Sequence, residues 1–321
     1  MAVDFDKIPK YADLPVKPGA PAGSSWGVFG ENDELGCLNF LTPECLVEAA
    51  KLVQTGKTFR LDAKLGFADP PLFGRAALRH QIVKLGPYAH DDLIDNYNTQ
   101  ESSQWDGFAH VGHFVHELFY GGVKVEEIKS GPGGRLSIHH WAAKFAGRGV
   151  FIDAFGYRKA HGKAVDPIQP GEYSLDELKA ALAWQGTKLT PGSIMLVRTG
   201  WMEAYETLSA ETRQSFTQFE KVTAIGVERS RELVAWLWDN RVAAIGCDNP
   251  GVESLPFNLA DEGALHYLAL PLLGLSLGEL FVLAPLAEDC ARDKRYEFLL
   301  VSAPINLVGG IATPPNALVI K

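Results

Sequence analysis

The sequence predicts a mixed α/β fold, and three observations carry that reading. Short apolar runs alternate with helical segments along the whole chain. The helices open on recognisable capping residues. With 321 residues and 46% hydrophobic content, the chain buries a substantial core without needing disulfide staples. The organisation expected is an arm over residues 1–23 and one domain over residues 24–321.

Taken in order, residues 15–26 are rich in Pro, Gly, Ala and Ser, which favours an ordered but irregular segment lying across the surface or a neighbouring subunit. Thr42 followed by Pro43 and Glu44 opens a helix, because Thr accepts a backbone N–H at the cap and proline lacks the N–H that would be orphaned at the first position; Gly56 ends it. Phe59, Leu61 and Ala63 alternate as a strand, and residues 77–83 form a second one before a polar crossing that ends at Gln104. A short helix is expected over 138–145 and a buried strand over 149–153. Ser174 with Glu177 makes a capping box for a helix over 175–184. Residues 193–199 form an interior strand bounded by Pro-Gly and Gly200. Beyond it come a helix over 227–238, a strand over 242–247, a helix over 262–269 and a final strand over 297–303. No internal repeat is present.

Several function classes are disfavoured at once. The net charge of -9 with dispersed basic residues is the reverse of a phosphate-binding surface, so nucleic acid is not an expected partner. The apolar stretch 264–287 is broken by Pro271 and contains Glu279, so it reads as two buried elements and no membrane partner is expected. Asp4, Asp6 and Lys7 precede any apolar run, and Cys37, Cys45, Cys247 and Cys290 are scattered without metal spacing; both features favour a reduced, cytoplasmic setting. Gly131-Pro132-Gly133-Gly134 and Gly309-Gly310 lack the lysine and flanking strand of a phosphate cradle and read as turns.

The segment from Gln100 to His113 holds the densest chemistry. If residues 104–110 are extended, period-two geometry sets Gln104, Asp106 and His110 on one side and Trp105 on the other. Gly107 permits close backbone approach, letting a carboxylate and the imidazoles of His110 and His113 converge on a ligand or cation. The competing reading makes Asp106 a turn acceptor and both histidines ordinary polar contacts. His116 reads as part of a solvated loop. Glu279 lies within Leu277-Gly278-Glu279-Leu280-Phe281, where a carboxylate is costly unless paired or metal-bound, and His266 lies thirteen residues before it. That spacing is no metal signature by itself. His139-His140 reads as packing beside Trp141, and Asp91-Asp92 and Asp248-Asn249 as turn formers.

An ordered series of matches then points to a family. It includes Trp26-Gly27, the run from Leu38 to Pro43, Gln104-Trp105-Asp106-Gly107, Gly147-Arg148-Gly149-Val150, the run from Pro191 to Trp201, Asp248-Asn249-Pro250 and the run from Tyr296 to Val301. Over about residues 24–321 the chain resembles the cyclase superfamily that includes kynurenine formamidases, isatin hydrolases and some dienelactone hydrolases. Its shorter members carry His-x-Gly-Thr-His-x-Asp-x-Pro-x-His. Aligned on Asp106, this chain has Gln100 and Gln104 at the two early histidine positions and keeps the last as His110, as in a longer, glutamine-containing subgroup.

The resemblance implies a swivelling β/β/α fold with a central barrel-like mixed sheet and peripheral helices, and a homodimer or homotetramer. It also implies that His266 and Glu279 are the distal metal ligands. One divalent ion, Mn or Zn, is expected on Asp106, His266 and Glu279 with assistance from Gln104, since a glutamine oxygen is a poorer zinc donor than imidazole and a two-zinc site does not follow. The expected activity is hydrolysis of an amide, lactone or other cyclic C–N or C–O bond of a small molecule. In it, His110 acts as the base, with His113 as its substitute or as a substrate-orienting group. Two alternatives are a metal-dependent lyase or dehydratase and a non-catalytic protein that binds a small ligand.

Overall fold

A computed structural model describes residues 3–257 and 261–321. The strands in chain order are β1 (Thr58–Arg60), β2 (Arg79–Gly86), β3 (Ala89–Asp95), β4 (Gln104–Asp106), β5 (Ala146–Ile152), β6 (Gly171–Tyr173), β7 (Ile194–Val197), β8 (Ile225–Val227), β9 (Ala244–Cys247), β10 (Ser276–Glu279), β11 (Glu297–Ser302), β12 (Ala312–Thr313) and β13 (Ala317–Ile320). The helices are α1 (Pro43–Ala50), α2 (Ala154–Ala160), α3 (Leu175–Gln185), α4 (Trp201–Glu206), α5 (Ala210–Ser215), α6 (Arg231–Asp239), α7 (Leu265–Tyr267) and α8 (Ala284–Asp293).

Nine strands form one mixed sheet in the order β1-β13-β11-β5-β7-β9-β10-β4-β12, curled as a half-barrel. Its centre, β5-β7-β9-β10, is parallel, and every neighbour outside that block is antiparallel. All residues of β7, β9 and β10 are buried, which is why β7 and β9 read as continuous apolar runs rather than alternating ones. The expected α/β architecture with a barrel-like mixed sheet and outer helices is the one observed. Two small sheets complete it, the hairpin β2-β3 and the parallel pair β6-β8.

Caps behave as their chemistry requires. Thr42 Oγ1 accepts the Cys45 N–H at the start of α1, and the Ser174/Glu177 box opens α3, with Gly186 left-handed at its end. Other boundaries differ from the sequence reading. Helix α1 stops at Ala50, before Gly56, and the region 138–145 contributes only a tight turn over Ile138–Trp141. Val227 belongs to β8, and α6 begins at Arg231 because Ser230 accepts the Leu233 N–H at its cap. The polar crossing holds a strand, β3, whose exposed residues carry no core-facing pattern. The helix expected over 262–269 starts at Leu265 and widens into a π-type turn, Leu268–Leu273, around Pro271, which has no N–H to continue an α-helix.

Part of the predicted arm is fastened to its own chain. Trp238 Nε1 donates to Pro9 O at 3.0 Å, Arg241 donates to Ile8 O at 2.7 Å, and the Tyr11 N–H reaches Asp239 Oδ1 at 2.8 Å. Among the described residues no helix is long and apolar enough to cross a membrane.

The β4-β10 ladder is the part of the fold that builds the site. Its register pairs Glu279 with Gln104, Gly278 with Trp105 and Leu277 with Asp106. Directly opposed side chains share a face, so Gln104, Asp106 and Glu279 point to one side while Trp105 enters the core. The Trp105 ring is fully buried, stacks on Phe145 at 4.6 Å and donates its indole N–H to Ser302 Oγ at 3.1 Å. Gly278 leaves the room it occupies: a Cβ there would stand 2.5 Å from Trp105 Cζ3. The large apolar anchor on one face thus fixes the carboxylates on the other.

Candidate metal centre

Asp106, His266 and Glu279 offer ligand atoms that all lie within 4.8 Å of one another, and all three residues are buried. His266 Nε2 stands 3.5 Å from Glu279 Oε1 and 3.9 Å from Asp106 Oδ2. Donors bonded to one cation at roughly 2.1 Å sit about 3–4 Å apart, so these spacings suit a single ion. Asp106 Oδ2 is buried with no hydrogen-bond partner among the described residues. An orphaned carboxylate oxygen facing an imidazole nitrogen and a second carboxylate has the geometry of a cation ligand. The donor set, two carboxylates and one imidazole, fits a divalent metal.

His266 is aimed by a residue that sequence reasoning missed. Glu253, fully buried, accepts the Leu265 N–H at 2.8 Å, the His266 N–H at 2.9 Å and the His266 Nδ1–H at 2.6 Å. One carboxylate therefore satisfies two orphan donors at the start of α7 and turns Nε2 toward Asp106 and Glu279. Its loop is held in turn by Asn249, whose amide donates to the carbonyls of Ile225, Val252 and Glu253. Gly226 lets that loop pass, since a Cβ would lie 2.2 Å from the Glu253 carbonyl carbon. The available signal was a carboxylate within Gly251-Val252-Glu253-Ser254-Leu255, the same cost argument that singled out Glu279.

The two glutamines act on the carboxylates. Gln104 Nε2 donates to Glu279 Oε2 at 2.5 Å while its oxygen accepts from Arg75 at 3.4 Å, so in this orientation the oxygen is turned to a guanidinium rather than to the ligand cluster. Gln100 Nε2 donates to Asp106 Oδ1 at 2.9 Å and lies 3.2 Å from His110 Nδ1.

Crowding negative charge in a buried place has a legible effect. Burial first, and then the Asp106 charge, push the Glu279 carboxyl up to about 7. Burial alone would lower His266, but its hydrogen bonds to Glu253 and Glu279 outweigh that and lift it to about 10. His110 moves the other way: burial dominates and its imidazole stays neutral more readily than a free histidine.

Only Gln104–Asp106 is extended. The Gly107 N–H bonds Ile311 O and the His110 N–H bonds Gly107 O, so the chain turns immediately after Asp106. Gly107 permits close approach, but to the Ile311 carbonyl, 2.3 Å from where a Cβ would be, rather than to a ligand. The turn still carries His110 back beside the cluster, with Nε2 3.8 Å from Asp106 Oδ1. His113 goes elsewhere. Its Nδ1 accepts the N–H groups of Val115 and His116, and the residue lines a separate cavity with Phe114, His116 and Phe119. His140 pairs with Glu34, Asp92 pairs with His80 on the exposed hairpin, and Asp248 accepts from Thr199 and Gly200, so none of these joins the cluster.

The cluster opens into a cavity of about 280 Å³ lined by Phe73, Arg75, His110, Val111, Phe219, Phe257, His266 and Glu279, with Pro250, Gly251 and Leu255. Residues 52–254, more than half of the sequence, match the family described as "Putative cyclase". The chain belongs to that family. A crystal structure described as a novel cyclase aligns with this cyclase-family protein at 32% identity and a TM-score of 0.82, covering 93% of this chain and 99% of that one. Isatin hydrolase A from Labrenzia aggregata bound to benzyl benzoate aligns at 17% identity and 0.55, covering 82% and 93%. An isatin hydrolase bound to the product analogue thioisatinate aligns at 14% identity and 0.55, covering 83% and 92%. These last two likenesses establish a shared fold. No curated protein matches the chain.

Proposed function

We infer that this cyclase-family protein is a metal-dependent hydrolase that opens an amide, lactone or other cyclic C–N or C–O bond of a small molecule. The observation that carries the reading is the orphaned Asp106 oxygen converging with His266 Nε2 and Glu279 on one point beside a cavity. Asp106, His266 and Glu279 would hold one divalent ion, Mn or Zn, with Gln104 steadying Glu279 rather than ligating. When bound, such an ion supplies Lewis acidity, lowering the pKa of water and stabilising developing negative charge on a carbonyl oxygen.

The chain's own groups account for the rest of the proposal. His110, neutral at pH 7 because burial disfavours its charged form, takes a proton from the attacking water. Oxygen from that water bonds to the carbonyl carbon, the C–N or C–O bond breaks, and His110 returns the proton to the departing nitrogen or oxygen. Gln100, donating to Asp106 and lying beside the His110 ring, keeps the two in register. The cavity walls supplied by Phe73, Phe219 and Phe257 exclude bulk water from one side.

The test is turnover of cyclic imides and lactones by protein supplied with Mn or Zn, read by mass spectrometry in ¹⁸O-water. The reading expects a product heavier than its substrate by one water, carrying the label, and loss of both bound metal and turnover in Asp106→Asn. Products lighter than substrate would establish elimination instead, and turnover unaffected in Asp106→Asn would refute the site.

A further inference from the structure

The wall of the cavity beside the ligand cluster carries a cation with spare donors. Arg75 lies half-buried on the segment that follows Leu72, and its Nη1 donates to two neutral acceptors, Gln100 O and Gln104 Oε1. Among the described residues it forms no ion pair, and its Nε and Nη2 make no hydrogen bond. A guanidinium presents five donors in a planar fork suited to two carboxylate oxygens, so a large part of that capacity faces the cavity unused.

Glu101 and Glu279 lie within reach of its charge on one side, and its other side is flat and apolar. The Arg75 guanidinium stands 5.1 Å from the centroid of the Phe73 ring. From there the rings run on: Phe73 to Phe219 at 5.7 Å, Phe219 to Phe257 at 6.0 Å, and Phe257 stacked on His266 at 5.7 Å. Phe73 reaches this position through a left-handed backbone, φ 60°, followed by Gly74 at φ 66°, a conformation that a bulky residue rarely adopts. The Phe73 N–H bond to Phe216 O pins it. Functional sites retain such strain, and here it sits in the cavity wall next to Arg75.

We propose that Arg75 is a specificity-determining residue that binds a carboxylate, or an equivalent anionic oxygen pair, carried by a planar ring substrate beside the bond to be cleaved. This names the substrate class of the site and rests on the hydrolase reading. The phenylalanine wall takes the faces of the ring, the ligand cluster takes the reacting carbonyl, and the guanidinium fork takes the anion. Gln104 spans the two charged ends, its NH₂ on Glu279 and its oxygen on Arg75, and so fixes their separation.

Binding separates this role from simple charge balance for the buried carboxylates. Calorimetry on the manganese-loaded protein compares 3-acetylbenzoate with acetophenone, which share the ring and an uncleavable ketone carbonyl for the ligand cluster and differ in whether the ring also carries a carboxylate. Wild type should favour 3-acetylbenzoate by at least about tenfold, the scale of one charge-assisted hydrogen bond. Arg75→Gln should abolish that preference and leave the acetophenone affinity unchanged, which also reports that the variant is folded. Arg75→Lys, with charge but no fork, should retain part of it. No preference in wild type, a preference that survives Arg75→Gln, equal weakening of both probes, or binding of neither would overturn the proposal. Because nothing is cleaved in this measurement, failure of the hydrolase reading would appear as absent turnover with the binding preference intact.

Discussion

His266 and His110 border the same cavity and are held in opposite ways. His266 is buried, follows the first N–H groups of α7, and is gripped on Nδ1 by Glu253, which raises its proton affinity and aims its other nitrogen. His110 sits on a turn, retains 27% side-chain exposure, and loses proton affinity through burial without any comparable partner. A nitrogen that binds a cation benefits from a fixed ring; one that takes and returns a proton benefits from a neutral resting state. In the proposed mechanism the difference between the two environments, rather than the shared residue type, separates ligand from base.

Four measurements bear on that contrast. The largest expected effect is on the base side: His110→Ala should lower turnover by about 10²–10⁴-fold while elemental analysis still finds the metal. Loss of the metal in that variant would erase the distinction. On the ligand side, Glu253→Gln should weaken metal affinity by about 10–100-fold in a competitive chelator titration, because the imidazole loses both its orientation and the charge behind it. Unchanged affinity would reduce Glu253 to a helix cap.

A subtler expectation concerns protons. Metal binding needs the neutral His266 Nε2 and the ionised Glu279, whose pKa values are raised to about 10 and about 7. Binding should therefore release about one proton above pH 7 and approach two below it, with affinity falling as pH drops, measurable from the buffer dependence of the calorimetric heat. The same shifts give the metal-free protein two successive windows, in both of which stability is lost as pH rises. The His266 contribution to stability is full below its unfolded value near 6.5 and is lost as pH rises through about 10. Glu279 favours folding when protonated, a contribution lost as pH rises from about 4.5 through about 7. The smallest effect on catalysis is expected at His113: replacement by Ala should leave turnover intact and cost about 1 kcal/mol of stability in a denaturant titration, since its Nδ1 serves two backbone N–H groups of its own loop. A turnover defect there would bring His113 back as the base.

Much of the fold was legible because local chemistry decided it. Proline and threonine opened α1, the Ser174/Glu177 box opened α3, and the fully buried strands β7 and β9 read as apolar runs whatever lay beside them. The hairpin strand β3 was not, because its exposed residues bury no face and so leave no period in the sequence. At the site, the alternation of Gln104, Trp105 and Asp106 was a local property of an extended chain and survived into β4. Where the chain ceases to be extended was not, since the turn at Gly107 answers to a carbonyl about two hundred residues away, Ile311.

By itself the sequence determined which side chains needed a partner: a carboxylate in an apolar strand at Glu279, an acid and two histidines near Trp105, and the family pattern that ties them to His266. Only the tertiary structure decided who meets whom. It joined β4 to β10 in a register that opposes Gln104 to Glu279, brought Glu253 under His266, and set Arg75 and three phenylalanines around the same cavity. Desolvation cost is a property of a residue and its immediate neighbours, and can be read along the chain. Convergence depends on long-range strand pairing and packing, whose partners are separated by more than a hundred residues and leave no local period behind.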